Sequence, residues 1–345
     1  MDKPGLPRAE RSDPLGGLPD EARARLKAAP HPEWMSPMMA TLTDRRFSDP
    51  AWLFERKLDG ERCLAFRHGS TTRLLSRNRL SANNQYPEVV EALSGQAVDD
   101  FVVDGEVVAF EGNRTSFTRL QRRMHLRDSE RARRTGVPVF YYVFDVLYVG
   151  GYDTTALALR HRKAILRRLL SFGKPLRFTA HRNAEGESYW REACRKGWEG
   201  VIAKRADSPY EHRRSRNWLK FKCVNEQEFV IGGFTEPKGS RKGFGALLIG
   251  SYEGSDLVYA GKVGTGFDEE LLISLSSQLA SMEQDRPPFA RGNVPRKGVH
   301  WVRPRLVCQV GYTEWTRDGQ LRHPRFLGLR RDKSPRDVVR ERPHG

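Results

Sequence analysis

Apolar residues in the first two thirds of the chain follow two spacings. Alternation, or a short apolar run, marks strands at residues 53–58, 63–67, 101–110, 139–148, 200–204 and 218–223. Spacing by three and four marks helices at residues 86–93, 116–134, 157–170 and 184–196, with Gly95 and Gly173 placed as stop signals. Asp59-Gly60, between the first two strands, predicts a tight hairpin turn. Helices alternate with strands, but several strand neighbours look like hairpins. The expected fold is therefore α+β with mixed and antiparallel sheets.

Near residues 224–228 the texture changes. Short β runs recur at 229–234, 246–252, 257–263 and 307–312, separated by glycine clusters and interrupted by one helical pattern at 271–282. Strands of that length and number outline a small closed β-barrel of the OB-fold type. The 345 residues suit two domains. The expected division is a loosely ordered extension over 1–33, with room for a short helix at 19–29, a first domain over 34–224, a barrel over 225–335 and a basic tail over 336–345.

Charge narrows the partners. Lys and Arg total 60 against 43 Asp and Glu, a formal net charge of +17. Such a surface attracts polyanions, so nucleic acid is the leading partner. Mean hydropathy is −0.65. No stretch offers the roughly 18 apolar residues of a membrane helix, and the longest run, 137–149, is broken by Asp145. No charged-then-apolar leader opens the chain, so export is not expected. Cys63, Cys194, Cys223 and Cys308 lie far apart without a CxxC pair. Zinc knuckles and a disulfide framework are both disfavoured, which suits a reducing, cytoplasmic and nucleoid-associated setting.

Four short elements carry the candidate chemistry. Lys57 stands beside the Asp59-Gly60 turn, which would hold it at a defined edge. In Trp218-Leu219-Lys220-Phe221-Lys222, strand alternation puts both lysines on the face of Trp218 and turns Leu219 and Phe221 into a core. Two lysines side by side are tolerable with an anion between them. Asp104 and Glu106 share a face inside an apolar strand, and buried carboxylates are costly unless paired or bound. Glu199 stands at the mouth of the short apolar strand 200–204. Taken singly, each is equally an ordinary turn, a solvated strand face or a structural ion pair. Together they supply a nucleophilic lysine, cations for a phosphate and carboxylates for a hard cation. A lysine attacks phosphorus only as a free amine, and neighbouring ammonium groups are expected to lower its pKa.

At this point the sequence resembles the ATP-dependent DNA ligases, within the wider group of lysine nucleotidyltransferases. The likeness spans residues 37–333, with the family's motifs in order. Lys57-Leu58-Asp59-Gly60 with Arg62 matches the motif of the adenylated lysine. Ser76-Arg77-Asn78, Asp104-Gly105-Glu106, Phe144-Asp145, Glu199-Gly200-Val201-Ile202 and Trp218–Lys222 resemble those that follow. The stretch from His323 to Lys333 looks like the final motif, on the OB domain. The nearest likeness is to the ligase module of bacterial non-homologous end-joining ligases, here in stand-alone form. It is carried by Tyr259-Ala260-Gly261-Lys262-Val263-Gly264-Thr265-Gly266-Phe267 and the final motif.

The resemblance implies an adenylation domain followed by an OB domain, and a three-step reaction. Lys57 takes AMP from ATP, AMP passes to the 5′-phosphate at a DNA nick, and the 3′-hydroxyl displaces it. The implied catalytic set is Lys57, Asp59, Arg62, Lys220 and Lys222. The implied nucleotide ligands are Glu55 at the adenine, Phe144 stacked on it, and Arg62, Arg77 and Glu106 at ribose or phosphate. Glu199, Lys220 and Lys222 follow at metal and α-phosphate, and Arg330 and Lys333 at the leaving pyrophosphate. Glu106 and Glu199 are the implied ligands of Mg²⁺ or Mn²⁺. The implied partners are nicked or broken duplex DNA and a Ku-type end-binding protein, with no membrane and a monomeric chain.

Arginines crowd residues 119–134, and Arg213, Arg214 and Arg216 lie on the loop that feeds Lys220. With Arg77, that loop is the expected contact to the DNA backbone, blind to base sequence and sensitive to salt. Rival readings are an RNA ligase, an mRNA-capping-type nucleotidyltransferase, or a non-catalytic DNA-end-binding protein.

Overall fold

A computed structural model describes residues 13–237 and 242–341. The chain divides into two compact units between Cys223 and Val224, against an expected boundary near residue 225.

The first unit holds two sheets. One has Val139–Val149 next to Asp100–Glu111, then Glu61–His68, then Thr71–Ser76. The other runs from His181–Asn183 through Trp52–Lys57, Gly200–Arg205 and Arg214–Lys222 to Met39–Leu42. Helix Gly186–Arg195 covers one face of this second sheet, where Phe54, Tyr189, Ala193, Val201, Ala203 and Phe221 make a closed core. Alternation then forces Glu55, Lys57, Lys220 and Lys222 to the opposite face. That face looks toward the first sheet across a second cluster, in which Met38, Leu64, Val102, Phe144, Tyr210 and Trp218 pack.

The Asp59-Gly60 turn is not a hairpin. Trp52–Lys57 pairs within one sheet and Glu61–His68 within the other, so the turn carries the chain between them. Glycine is required at position 60 because a Cβ there would collide with the Val107 carbonyl. Local turn chemistry reads the bend correctly but cannot read which strands the two arms join.

The single helix expected over 116–134 is two, Phe117–Met124 and Ser129–Arg134, the second capped by Asp128 accepting from the Arg131 amide at 2.7 Å. Arg123, within the arginine run, is buried and bonded to Glu88 and to the Val137 carbonyl. Residues 1–12 of the expected loose extension lie outside the described residues. The remainder is ordered, because Leu18 and Ala22 pack into the main core and Lys27–Ala28 pairs with Tyr152–Asp153. A disulfide joins Cys194 to Cys223, where the spacing of the cysteines disfavours a disulfide framework. Helix Gly186–Arg195 lies against the strand that ends at Lys222, a proximity invisible in spacing along the chain.

In the second unit six strands form one sheet, ordered Asp256–Val263, Leu247–Glu253, Asn225–Thr235, Val299–Tyr312 and Glu283–Gln284, with Arg325–Leu329 also on Val299–Tyr312. Among the described residues its two edges do not pair, so the expected barrel is not closed. Val299–Tyr312 shifts register between the Ile231 and Gly233 partners, which bends the sheet. Its edges meet through the Phe326 amide, which donates to the Thr265 carbonyl at 2.9 Å, with no strand ladder among the described residues. Helix Glu269–Ala280 contributes Leu272, Leu275 and Leu279 to the core beneath it. Of the tail, Val338 is buried and its carbonyl accepts from the Tyr252 amide at 2.7 Å; residues 342–345 lie outside the described residues.

Candidate active site

Three strands of the second sheet bring the motif residues into register. Gly200 lies opposite both Lys57 and Lys222, and Ile202 lies opposite both Glu55 and Lys220. Gly200 has φ 149°, and a Cβ would strike the Phe221 carbonyl, so the middle strand must be bare there. Glu199, just before that strand, is anchored by its carbonyl, which accepts from the Cys223 amide at 3.0 Å. One of its carboxylate oxygens pairs with the Lys57 ammonium.

The charge state of Lys57 reverses the sequence-based expectation. Burial pushes its pKa down, the Glu199 carboxylate pushes it up, Lys222 pushes it down and Glu106 pushes it up. The net shift is upward, so Lys57 is held as an ammonium. A carboxylate in direct contact outweighs a second ammonium farther off, because Coulomb energy falls with distance. The other Glu199 oxygen, Oε2, is buried with no hydrogen-bond partner among the described residues. An orphaned carboxylate oxygen of that kind suits a hard divalent cation.

The facing sheet supplies the opposite wall. Arg62 and Glu106 are direct cross-strand partners. Arg62 donates from Nε and Nη2 to the two oxygens of buried Asp104, and also to the Met38 carbonyl at 3.1 Å. Tyr210 donates its hydroxyl to Asp104 at 2.6 Å. Phe144 is the extra residue of a bulge, since Asp104 pairs with Asp145 but Gly105 pairs with Val143. The bulge aims its ring into the cleft, where the Arg62 guanidinium stands 4.8 Å away and Trp218 meets it edge-on at 5.9 Å. Asp145 itself is structural, bound by Arg162 at 2.7 and 3.0 Å.

Glu55 is buried between two lysines. Lys163 bonds one oxygen, and Lys204 lies 2.7 Å from the other. Burial raises the Glu55 pKa, but Lys163 and Lys204 together leave it below the ordinary carboxylate range. Burial drives Lys204 down to about 8, against the pull of Glu55 and with the push of Lys163. Its Nζ also stands 4.1 Å from the Phe144 ring and 3.9 Å from the Trp218 ring.

Of the residues predicted from sequence, Lys57, Glu199, Lys222, Glu106, Arg62 and Phe144 come together in this cleft, with Glu55 and Lys220 one step along the same face. Asp59 is half-buried just past Lys57, and its amide donates to Thr115 at 3.2 Å. Arg77 is half-buried directly after Thr71–Ser76, whose Ser76 faces Cys63 beside Arg62. Arg213, Arg214 and Arg216 are exposed at the far end of the lysine strand; Arg213 pairs with Glu211 at 3.0 Å, and Arg214 donates to the Ala40 carbonyl at 2.6 Å. Arg330 and Lys333 belong to the second unit, where Arg330 bonds Asp332 at 2.9 and 2.8 Å and Lys333 lies 3.3 Å from Glu228.

Sequence reasoning misses Lys163, Lys204 and Tyr210. Lys163 carries a signal: with Leu159, Arg162 and Leu166 it forms one helical face at spacings of three and four. Lys204 carries one too, as it shares strand parity with Gly200 and Ile202. Nothing in the sequence marks Tyr210.

Two sheets facing across a cleft, with a lysine clamped by a carboxylate between them, define a nucleotidyltransferase fold. Family models for the "ATP dependent DNA ligase domain" and the "ATP dependent DNA ligase C terminal region" match residues 37–222 and 240–333. The chain belongs to the ATP-dependent DNA ligase family. It is 40% identical over 325 residues to the multifunctional non-homologous end joining protein LigD of Pseudomonas aeruginosa, covering 92% of this chain and 38% of that protein. It is 37% identical over 319 residues to the Mycobacterium tuberculosis LigD, covering 89% and 40%. The chain thus spans about two fifths of the length of these curated relatives. A solved structure of mycobacterial DNA ligase D complexed with ATP and MES aligns with a TM-score of 0.63 at 34% identity, covering 89% of this chain and 98% of that one. Among the described residues no helix is long and apolar enough to cross a membrane.

Proposed function

We propose that this chain seals 5′-phosphate/3′-hydroxyl nicks or breaks in duplex DNA, using ATP, in repair by end joining. The observation that carries the reading is Lys57 held against Glu199, with Lys222 on the far side of the intervening strand, in a cleft walled by Phe144 and Arg62. Lys57 Nζ gives up its proton and forms a P–N bond to the α-phosphorus of ATP as the bond to pyrophosphate breaks. Burial and Lys222 favour the neutral amine, and Glu199 is the principal group that retains the proton. AMP then passes to the DNA 5′-phosphate, freeing the Lys57 amine, and the 3′-hydroxyl displaces AMP to close the strand.

Phe144 offers a stacking face for adenine, and Glu55 stands one step along the same strand face as Lys57. Arg62, Arg77, Lys220 and Lys222 are cations for ribose and phosphate, with Arg330 and Lys333 for the departing pyrophosphate. Asp59 fixes the turn behind Lys57. Glu106 and Glu199 would hold Mg²⁺ or Mn²⁺, which when bound neutralises charge on phosphate oxygens. Arg213, Arg214 and Arg216 give the DNA backbone an exposed basic edge. The reading extends to an OB-type role for the second unit, a monomeric chain acting at the nucleoid in the cytoplasm, and recruitment by a Ku-type end-binding protein.

The test is a nick-sealing assay with ATP and GTP in parallel, on DNA and on RNA duplexes. Sealing of DNA with ATP alone is expected. Sealing only of RNA, or labelling by GTP in preference to ATP, contradicts the proposal.

A further inference from the structure

A second constellation lies at the far end of the first sheet. His68 and Asp100 are cross-strand partners, and His31 reaches them from the N-terminal segment. Asp100 Oδ1 lies 2.8 Å from His31 Nδ1 and 3.0 Å from His68 Nδ1, and the two imidazole rings are 4.8 Å apart. The three ligand atoms all fall within 4.8 Å of one another. Arg62 and His68 are six positions apart on one strand, roughly 20 Å at about 3.3–3.4 Å per residue. The cluster therefore has no part in nucleotide chemistry.

We propose that His31, His68 and Asp100 form a binding site for a zinc-class divalent transition ion, which pins the N-terminal segment to the sheet. Two imidazoles and one carboxylate are a borderline N/O donor set that suits Zn²⁺ or Co²⁺, whereas Mg²⁺ and Ca²⁺ prefer all-oxygen shells. Bonds of about 2.0–2.2 Å in tetrahedral geometry hold ligand atoms roughly 3.3–3.5 Å apart. The two Asp100–imidazole separations, 2.8 and 3.0 Å, are close to that spacing, the imidazole nitrogens lie within 4.8 Å of each other, and His68, whose side chain is 69% exposed, can turn to complete it. Among the described residues no partner on His31 Nε2 fixes the tautomer, so that nitrogen can carry the proton and leave the Nδ1 lone pair for the ion. Tyr148 donates to the other Asp100 oxygen at 3.2 Å and orients the carboxylate from behind. The His31 ring also packs edge-on against Tyr148 at 5.2 Å, so two of the three ligands are set before the ion arrives. The remaining position is left to water.

The segment so pinned also carries Lys27–Ala28, the edge strand beside Tyr152–Asp153. Binding to the folded chain alone must raise its stability by mass action.

The test uses the untagged full chain, stripped with a chelator and titrated with Zn²⁺ by calorimetry in excess Mg²⁺, then with Co²⁺ by visible absorption. One zinc per chain is expected, with tetrahedral Co²⁺ bands and a melting temperature that climbs with zinc concentration. H68A, at an exposed position that should not disturb folding, is expected to bind at least about tenfold more weakly and to keep wild-type adenylation with Mg²⁺. D100N is expected to lose the Co²⁺ bands as well. No zinc bound by the wild type, or equal affinity in wild type and H68A, overturns the proposal and leaves the three residues as a hydrogen-bonded clasp.

Discussion

Arg62 grips Asp104 through two parallel hydrogen bonds, each 2.5 Å long, between neighbouring strands of the first sheet. Burial pushes the guanidinium pKa down, but Asp104 more than restores it, so Arg62 is a permanent cation at the cleft wall. Tyr210 completes the shell of Asp104. Removing one partner of such a pair strands the other charge. Asp104→Asn is expected to lower unfolding free energy by about 3–5 kcal/mol in urea titrations. A decrease of less than about 1 kcal/mol would show that solvent compensates Arg62.

Lys204 makes stability depend on pH. Its pKa is about 8 in the folded chain against an ordinary 10.5. Between those values the unfolded chain binds more protons than the folded one, so stability rises with pH across that window. The difference in unfolding free energy between wild type and Lys204→Met should therefore grow from pH 8 to pH 10.5. A difference that stays flat or shrinks would mean that Glu55 keeps Lys204 charged.

The cleft is more legible in the sequence than the architecture around it. Strand alternation alone puts Lys220 and Lys222 on one face and Phe221 in the core, as found. Phe144 is marked only through the family likeness, because the bulge that aims it depends on the strand beside it. The Asp59-Gly60 turn reads as a hairpin because a bend is local whereas strand pairing is not. The open ladder of the second unit's sheet, the Cys194–Cys223 bridge and the burial of Arg123 are likewise decided by distant segments. The pKa of Lys57 escapes sequence reasoning on the same ground: the Lys220–Lys222 pair is evident as a local charge run, and the pairing of Glu199 with Lys57 is not.

The basic edge at Arg213, Arg214 and Arg216 should act through phosphates alone. In the triple alanine variant, the slope of log binding constant against log salt on nicked DNA should become shallower by about 0.9 for each phosphate no longer neutralised. Adenylation without DNA should be unchanged. An unaltered slope would place the DNA on another face.

Lys57 and its carboxylate are the centre of the account. The most direct measurement is covalent labelling by α-labelled ATP with Mg²⁺, read on a denaturing gel and mapped by peptide. Wild type should carry one AMP on Lys57, and Lys57→Ala none. Label retained by Lys57→Ala, or mapped to another lysine, would contradict the account.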